Sequence, residues 1–181
     1  LLMDTLRSEA LGFLGITDAA TQSEMHYRYA ATLRPYIEKG VELGLLSPHL
    51  LEFDLNVLGE ALKADRDQQF TYLGLQTLYD RYFIHSEGVR FELPQVFFMR
   101  VAMGLASNEE NREERAIEFY NLISSFDYMV STPQLFNSGT LRPQLSSCFL
   151  TTVPDDLFGI YSAIRDNAML SKWAGGLGND W

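Results

Sequence analysis

The sequence is poor in the residues that cross-link many small proteins or bind their metals. Cys148 is its single cysteine in 181 residues, so an internal disulfide is impossible and a reducing compartment is expected. The three histidines are not spaced with cysteine or carboxylates in the way that metal ligands are. We therefore predict neither a disulfide framework nor a metal site.

Basic residues and long apolar runs are also scarce. The chain has 14 Lys and Arg against 24 Asp and Glu, a net charge of -10, which argues against non-specific nucleic-acid binding and against attraction to anionic membranes. No apolar run approaches the roughly 20 residues of a membrane span, and the first residues do not read as a signal peptide. We expect a cytoplasmic protein with no nucleic-acid or membrane partner. Because the chain opens on Leu1 rather than Met, we also expect a fragment.

The chain is rich in apolar residues at helical spacing. Hydrophobic residues make up 46% of the sequence, which is enough for a sizeable core. The spacing predicts five or six helices, with Pro35 kinking or breaking the first, Asp65 capping a later one and Gly88 ending it in a left-handed conformation. The predicted helices include residues 21–44, residues 47–62, a segment that begins at Pro94, and residues 116–130.

The last third of the chain predicts one strand and one helix. The run FLTTV reads as a strand ended by Pro154, and Asp155 and Asp156 then favour the start of a helix from Leu157 to Trp173. Because one strand cannot form a sheet, its partner is expected beyond Trp181 or on another chain.

A loop-like stretch, STPQLFNSGTLRPQLSSCFL, connects these two parts. Thr132, Ser146 and Ser147 could donate hydrogen bonds to a phosphate, or could simply satisfy turns of their own backbone. Cys148 enters the strand, although a lone cysteine is usually just a buried apolar residue. The glycines of GGLG are too few for a dinucleotide fingerprint. The residues alone leave the site undecided between phosphate plus redox chemistry and ordinary packing.

Five segments, in order, resemble the large (α, catalytic) subunit of class I ribonucleoside-diphosphate reductases. They cover roughly residues 50–181 and read RDQQFTYLGLQTLYDRYF, ELPQVFFMRVAMGLA, STPQLFNSGT, QLSSCFLTTVPDDLFGIY and AGGLGNDW. The resemblance implies a mainly α fold. Residues 1–130 would be a helical N-terminal domain, and residues 131–181 would be the first strand and helix of an incomplete ten-stranded α/β barrel.

The resemblance also implies a substrate site. Cys148 matches one member of the cysteine dithiol that reduces the ribose 2′ position of a nucleoside diphosphate. Thr132 and Ser147 match positions that hold the diphosphate and ribose, and Gly175 and Gly176 match a small-residue turn that lines the substrate.

A second site and several partners follow from the same resemblance. Asp155, Asp156 and Leu157 match the start of an allosteric site for nucleoside triphosphate effectors, and the helix from Leu157 to Trp173 matches one at the interface of a large-subunit homodimer. No cofactor is expected on this chain itself. A diiron-tyrosyl radical is implied on a small partner subunit, with thioredoxin or glutaredoxin as the reductant.

The sequence departs from the family in ways that bear on activity. The radical-carrying cysteine, the second reducing cysteine and the ATP-cone motif are not found, and Gln134 stands where Thr is usual. We therefore predict that this chain alone is inactive and that it self-associates through uncovered apolar surface. Two alternatives stay open: a cobalamin-dependent ribonucleotide reductase fragment, and a non-catalytic helical interaction module or half of a split enzyme.

Overall fold

The computed structural model describes residues 1–16, 20–172 and 175–181. This part of the chain is mainly α, as predicted. Two 3-10 helices, Pro48–Glu52 and Ala64–Gln69, accompany the α-helices. The described residues form eight α-helices: α1 (Leu2–Phe13), α2 (Met25–Glu42), α3 (Leu55–Glu60), α4 (Tyr72–Arg81), α5 (Pro94–Ala106), α6 (Arg112–Ser124), α7 (Thr132–Asn137) and α8 (Leu157–Lys172).

Short strands form two separate two-stranded sheets. A hairpin pairs β1 (His85–Ser86) antiparallel with β2 (Val89–Arg90). Near the C-terminus, Cys148 lies opposite Gly176, and the pairing runs to Thr152 opposite Asp180. This second sheet is parallel and consists of β3 (Cys148–Thr152) and β4 (Gly176–Asp180).

Helix α5 lies at the centre of the helical layer. It begins with Pro94 at its first position, where proline is well tolerated because a backbone N–H there would have no acceptor within the helix. Its residues are apolar nearly all round, which is typical of a helix that is covered on every side. Phe97 and Met99 are fully buried, and so are the polar residues Gln95 and Arg100, which therefore need partners inside the protein.

A buried polar network joins the first helices to α5. The Asp67 carboxylate accepts hydrogen bonds from the Tyr29 hydroxyl at 2.8 Å and the Gln95 amide at 2.8 Å, and it pairs with Arg7 at 3.1 Å. Burial raises the pKa of Asp67, although these three donors oppose the increase. The network fixes how α1 and α2 pack on α5.

Several predicted helix boundaries were wrong. Helix α2 runs through Pro35 without a break, and the predicted helix over 47–62 is divided into a 3-10 helix and α3. Asp65 lies within a 3-10 helix, and the cap of α4 is Thr71, whose Oγ1 accepts the Gly74 amide at 3.1 Å. The predicted helix over 116–130 begins earlier and ends at Ser124.

Two further corrections concern turns and strands. Gly88 has a positive φ of 86°, but it serves the turn of the β1–β2 hairpin rather than a helix end. The partner of β3 was expected outside this chain, whereas β4 supplies it within the chain. The sequence did not predict β4, because its glycines are more typical of a loop than of a strand. The predicted helix end at Trp173 lies outside the described residues.

Within the described residues, every helix is too short or too polar to cross a membrane. The same residues contain no group of three or more His, Cys, Asp or Glu side chains that could hold a metal ion.

Candidate active site

The stretch that the sequence predicted as a loop begins with a short helix, α7. Ser131 caps it, and the Gln134 side chain accepts the Ser131 amide at 2.9 Å, which completes a capping box. Pro133 lies in the first turn, where its fixed φ suits a helix. Gln134, which stands where the resemblance expects Thr, therefore has a structural role in starting α7.

An open cleft of about 970 Å³ lies between α7, the segment that leads into β3, and the end of α8. Thr132 and Ser147, which come from different segments, both line it. The structure thus brings together two of the residues that the sequence predicted for substrate binding. The residues that line the cleft are Thr132, Pro133, Phe136, Asn137, Arg142, Pro143, Gln144, Ser147 and Lys172.

Cys148 follows Ser147 directly and begins β3 with its side chain exposed. It is not a buried core cysteine. The Gly176 amide donates to the Ser147 carbonyl oxygen at 2.7 Å, so β4 begins beside the thiol. A Cβ on Gly176 would lie 3.2 Å from that carbonyl oxygen and 3.6 Å from Cys148 Sγ. The missing side chain keeps the face of the thiol open.

Gly175 is required for a different reason. A Cβ at this position would lie 2.6 Å from the ring of Phe149, closer than real side chains approach. Gly176 thus lies beside the cysteine, and Gly175 is needed for packing against Phe149. The role in lining a substrate that the resemblance implies for both glycines stays a prediction.

The predicted effector residues lie at the other end of β3. Four residue steps lead from Cys148 to Thr152 at this end, about 13 Å of extended chain. Asp156 Oδ1 accepts the Gly159 amide at 2.9 Å and so stabilises the start of α8, while Asp155 and Leu157 are exposed. The structure therefore separates the predicted site residues into two groups.

Helix α8 carries an uncovered apolar face next to this second group. Leu157, Phe158, Tyr161 and Ile164 share one side of the helix and are between 52% and 83% exposed. Ala163 on the opposite side is buried. An apolar face of this kind is typical of an interaction surface.

Sequence reasoning missed three contributors to the cleft. Arg142 and Lys172 bring positive charge to it in a protein with a net charge of -10. Arg142 precedes the serines in the same loop and could have been noticed there. Lys172 could not, because it reaches the cleft only when α8 returns alongside β3. Phe136 adds an apolar wall.

Tyr82 was also missed, and it comes from the end of α4. Its ring stacks on Phe136 with the ring centroids 4.5 Å apart, and its hydroxyl oxygen lies 3.5 Å from Thr132 Oγ1. No sequence signal connects Tyr82 to Thr132, because only the packing of α4 against α7 brings them together.

Comparison with known proteins shows which family the chain resembles. The family model of the ribonucleotide reductase all-alpha domain matches residues 68–143. The ribonucleoside-diphosphate reductase subunit alpha of Chlamydia trachomatis is 51% identical over the whole chain, and that of Helicobacter pylori is 43% identical over 82% of it. The large chain of the Schizosaccharomyces pombe reductase is 45% identical over 67% of this chain.

This chain spans only part of those relatives: 17% of the Chlamydia protein, 19% of the Helicobacter protein and 15% of the Schizosaccharomyces protein. The similarity nevertheless runs through the helical layer, the cleft and the β3–α8–β4 segment, since the first of these alignments includes every residue of the chain. The chain belongs to the family of ribonucleotide reductase large subunits.

Proposed function

We propose that this chain supplies part of the substrate site of a ribonucleoside-diphosphate reductase large subunit. The observation that carries the proposal is the meeting of Thr132 and Ser147 in one cleft, with the exposed Cys148 thiol directly beyond Ser147. Hydroxyl donors together with Arg142 and Lys172 suit the phosphates of a nucleoside diphosphate.

In this proposal Cys148 is one of two thiols that reduce the ribose. The C2′–OH bond breaks and the oxygen leaves as water, while a C2′–H bond forms and the two thiols give up two electrons to form a disulfide. Because this sequence has one cysteine, the second thiol must come from outside it. The disulfide would then be reduced by thioredoxin or glutaredoxin.

The remaining roles are assigned by the same proposal. A radical generated at the diiron centre of a small partner subunit would start the reaction, and no such group is expected on this chain. Asp155 and Leu157 are exposed and available to a nucleoside triphosphate effector, whereas Asp156 already caps α8. The uncovered face of α8 suits the interface of a large-subunit homodimer.

The test is the Cys148→Ser substitution in the full-length large subunit, assayed with its radical-generating subunit, a nucleoside diphosphate and thioredoxin. Because one thiol of the pair is lost, deoxynucleotide formation should fall by at least about two orders of magnitude while nucleoside diphosphate binding persists. Unchanged multiple turnover would overturn the role of Cys148. The 181-residue chain alone should form no deoxynucleotide under the same conditions.

A second substitution tests the cleft itself. Thr132→Val keeps the shape of the side chain and removes the hydroxyl, so KM for the nucleoside diphosphate should rise about tenfold, the effect of losing one hydrogen bond to a charged group. Thr5→Val, on α1 and outside the cleft, is the matched control and should leave KM unchanged. Equal KM values for both variants would remove Thr132 from the site.

The cobalamin-dependent alternative is less well supported, because the relatives described above are named as ribonucleoside-diphosphate reductases. A requirement for adenosylcobalamin in place of a radical subunit would reverse this choice. The non-catalytic alternative predicts that the full-length protein forms no deoxynucleotide with any radical source.

A further inference from the structure

We propose that Arg100 is a positioning residue for the nucleoside diphosphate. Together with Glu92 it holds the end of α7 in place from inside the protein core, and thereby sets where Thr132 lies in the cleft. This inference rests on the proposed function, because it concerns the same substrate site.

The ion pair is completely buried. Arg100 and Glu92 both have fully covered side chains, with Nε of the arginine 2.7 Å from Oε1 of the glutamate. The glutamate is itself fixed, since it accepts the Ile84 amide at 2.9 Å and the Tyr36 hydroxyl. Burial by itself lowers the pKa of Arg100, but Glu92 and Tyr36 together more than offset this, so the pKa is raised and the guanidinium stays charged.

Both Nη atoms of the guanidinium group also reach the end of α7, although Nη2 lies 3.4 Å from Glu92 Oε2 as well. Nη1 donates to the Ser138 carbonyl oxygen at 2.6 Å, and Nη2 donates to the Leu135 carbonyl oxygen at 3.1 Å. Carbonyls at the end of a helix have no partner within the helix, so an external donor decides how that end is held. The planar fork of arginine can serve Glu92 and both carbonyls at once.

The chain beyond α7 is pressed against α5 at the same place. Ser138 Oγ donates to the Val101 carbonyl oxygen at 2.7 Å, and Gly139 follows with a positive φ of 75°. A Cβ on Gly104 of α5 would lie 2.2 Å from the Gly139 nitrogen. The end of α7 therefore has little room to shift along α5.

The first turn of α7 lines the cleft, and so does its other end through Phe136 and Asn137. Thr132 is its first residue, and the helix has only six residues, about 9 Å in length. Any movement of the anchored end is passed on to the Thr132 hydroxyl with little loss. Misplacement of a binding group by about 1 Å can reduce catalysis a hundredfold.

Stability alone is a weak reason for this ion pair. A buried ion pair can often be replaced by apolar residues without loss of stability, because desolvation consumes most of the attraction. Both Nη atoms donate to carbonyl oxygens at the end of α7. Arg100 therefore has a more specific role, which is to hold α7, and with it Thr132, in one position.

The test uses the full-length large subunit with Arg100→Lys. Lysine keeps the charge opposite Glu92 but cannot reproduce the fork, so the two carbonyls of α7 lose their donor. We expect KM for the nucleoside diphosphate to rise about tenfold and kcat to change less than about threefold. Hydrogen exchange should become faster in residues 132–139. Arg66→Lys is the matched control, because Arg66 binds Asn121 and Ser124 of α6, away from α7.

The outcomes separate positioning from general stability. The proposal is supported if Arg100→Lys shows both a higher KM and faster hydrogen exchange in residues 132–139, while Arg66→Lys shows neither change. Equal changes in both variants, or an unchanged KM in Arg100→Lys, overturn it. If Arg100→Lys does not fold, Arg100→Met combined with Glu92→Met removes both buried charges together, so the fold should persist while the two carbonyls lose their donor. The same pattern is expected in this double variant, and its absence also overturns the proposal. A wild-type subunit that neither binds nor reduces nucleoside diphosphates would refute the proposed function, while the exchange measurement would still decide whether Arg100 holds α7.

Discussion

The helical layer and the β3–α8–β4 unit bury their apolar residues very differently. Helix α5 is buried on almost all sides, with Phe97 at 0% exposure and only Gly104 and Leu105 partly exposed. In the second unit, Val153 and Ala163 are buried, but Leu150 is 90% exposed and Phe158 is 83% exposed. The helical layer therefore has its own core, whereas the second unit presents its apolar residues outward. The cleft lies where the two regions meet, so its shape depends on both.

The largest expected effect compares two phenylalanines. Phe97→Ala should lower the free energy of unfolding by about 3–5 kcal/mol, because it leaves a cavity in a closely packed core. Phe158→Ala, in which the same side chain is lost from the exposed face of α8, should change it by less than about 0.5 kcal/mol. Urea denaturation at a protein concentration too low for self-association measures both, and similar values would show that α8 is covered within the single chain.

The next effect tests how closely α5 approaches the residues after α7. Gly104→Ala should destabilise the chain by about 1–3 kcal/mol, since the new Cβ would overlap the backbone at Gly139. Gly12→Ala is the matched control, because a Cβ there meets no neighbouring atom within 4 Å, and it should be neutral or stabilising by up to about 1 kcal/mol. The difference between the two melting temperatures is the measurement.

The uncovered face of α8 should drive self-association of the isolated chain. Tyr161→Glu places a charge in the middle of this face and should weaken association by at least about tenfold, a change of about 1.4 kcal/mol. Tyr27→Glu, which changes a similarly exposed tyrosine on α2, should not weaken it. Sedimentation over a range of concentrations distinguishes the variants, and a wild-type chain that stays monomeric contradicts the prediction.

The smallest effect separates two neighbouring carboxylates at the start of α8. Asp156→Ala should cost about 1 kcal/mol, the usual contribution of a helix cap, because its carboxylate accepts the Gly159 amide. Asp155→Ala should leave stability almost unchanged, and in the full-length subunit it should weaken the response to nucleoside triphosphate effectors. Thermal denaturation and effector titration give the two readouts, and a stability loss in both variants would show that Asp155 also supports α8.

The helical layer was easier to predict than its boundaries. The all-round apolar pattern and Pro94 located α5 correctly. Pro35 gave a wrong prediction of a kink or break, because proline in a helix interior usually destabilises the helix by about 3 kcal/mol. In α2 the neighbouring Leu33, Tyr36 and Ile37 are all fully buried, and their packing stabilises the helix. Burial by other helices is a tertiary effect, and residue patterns within one segment do not contain it.

Strand β4 shows a second limit of sequence reasoning. Its residues have none of the β-branched or aromatic side chains that favour strands, and it forms because β3 offers a parallel partner. A Cβ on Gly178 would meet only the end of the exposed Leu150 side chain, at 2.9 Å, which can turn away, so β4 depends on pairing with β3 rather than on its own residues. The roles of Thr132, Ser147 and Cys148 came from resemblance, while their proximity came from the structure.

The buried pair of Arg100 and Glu92 also restricts how this protein can evolve. Substituting either partner alone leaves an unpaired charge in the interior and should lower the free energy of unfolding by about 3–5 kcal/mol. That is a large share of the stability of a typical domain. Neither position can therefore change freely by single substitutions. Among relatives we expect the two positions to be retained together or replaced together by uncharged residues, with few sequences that carry only one of the charges.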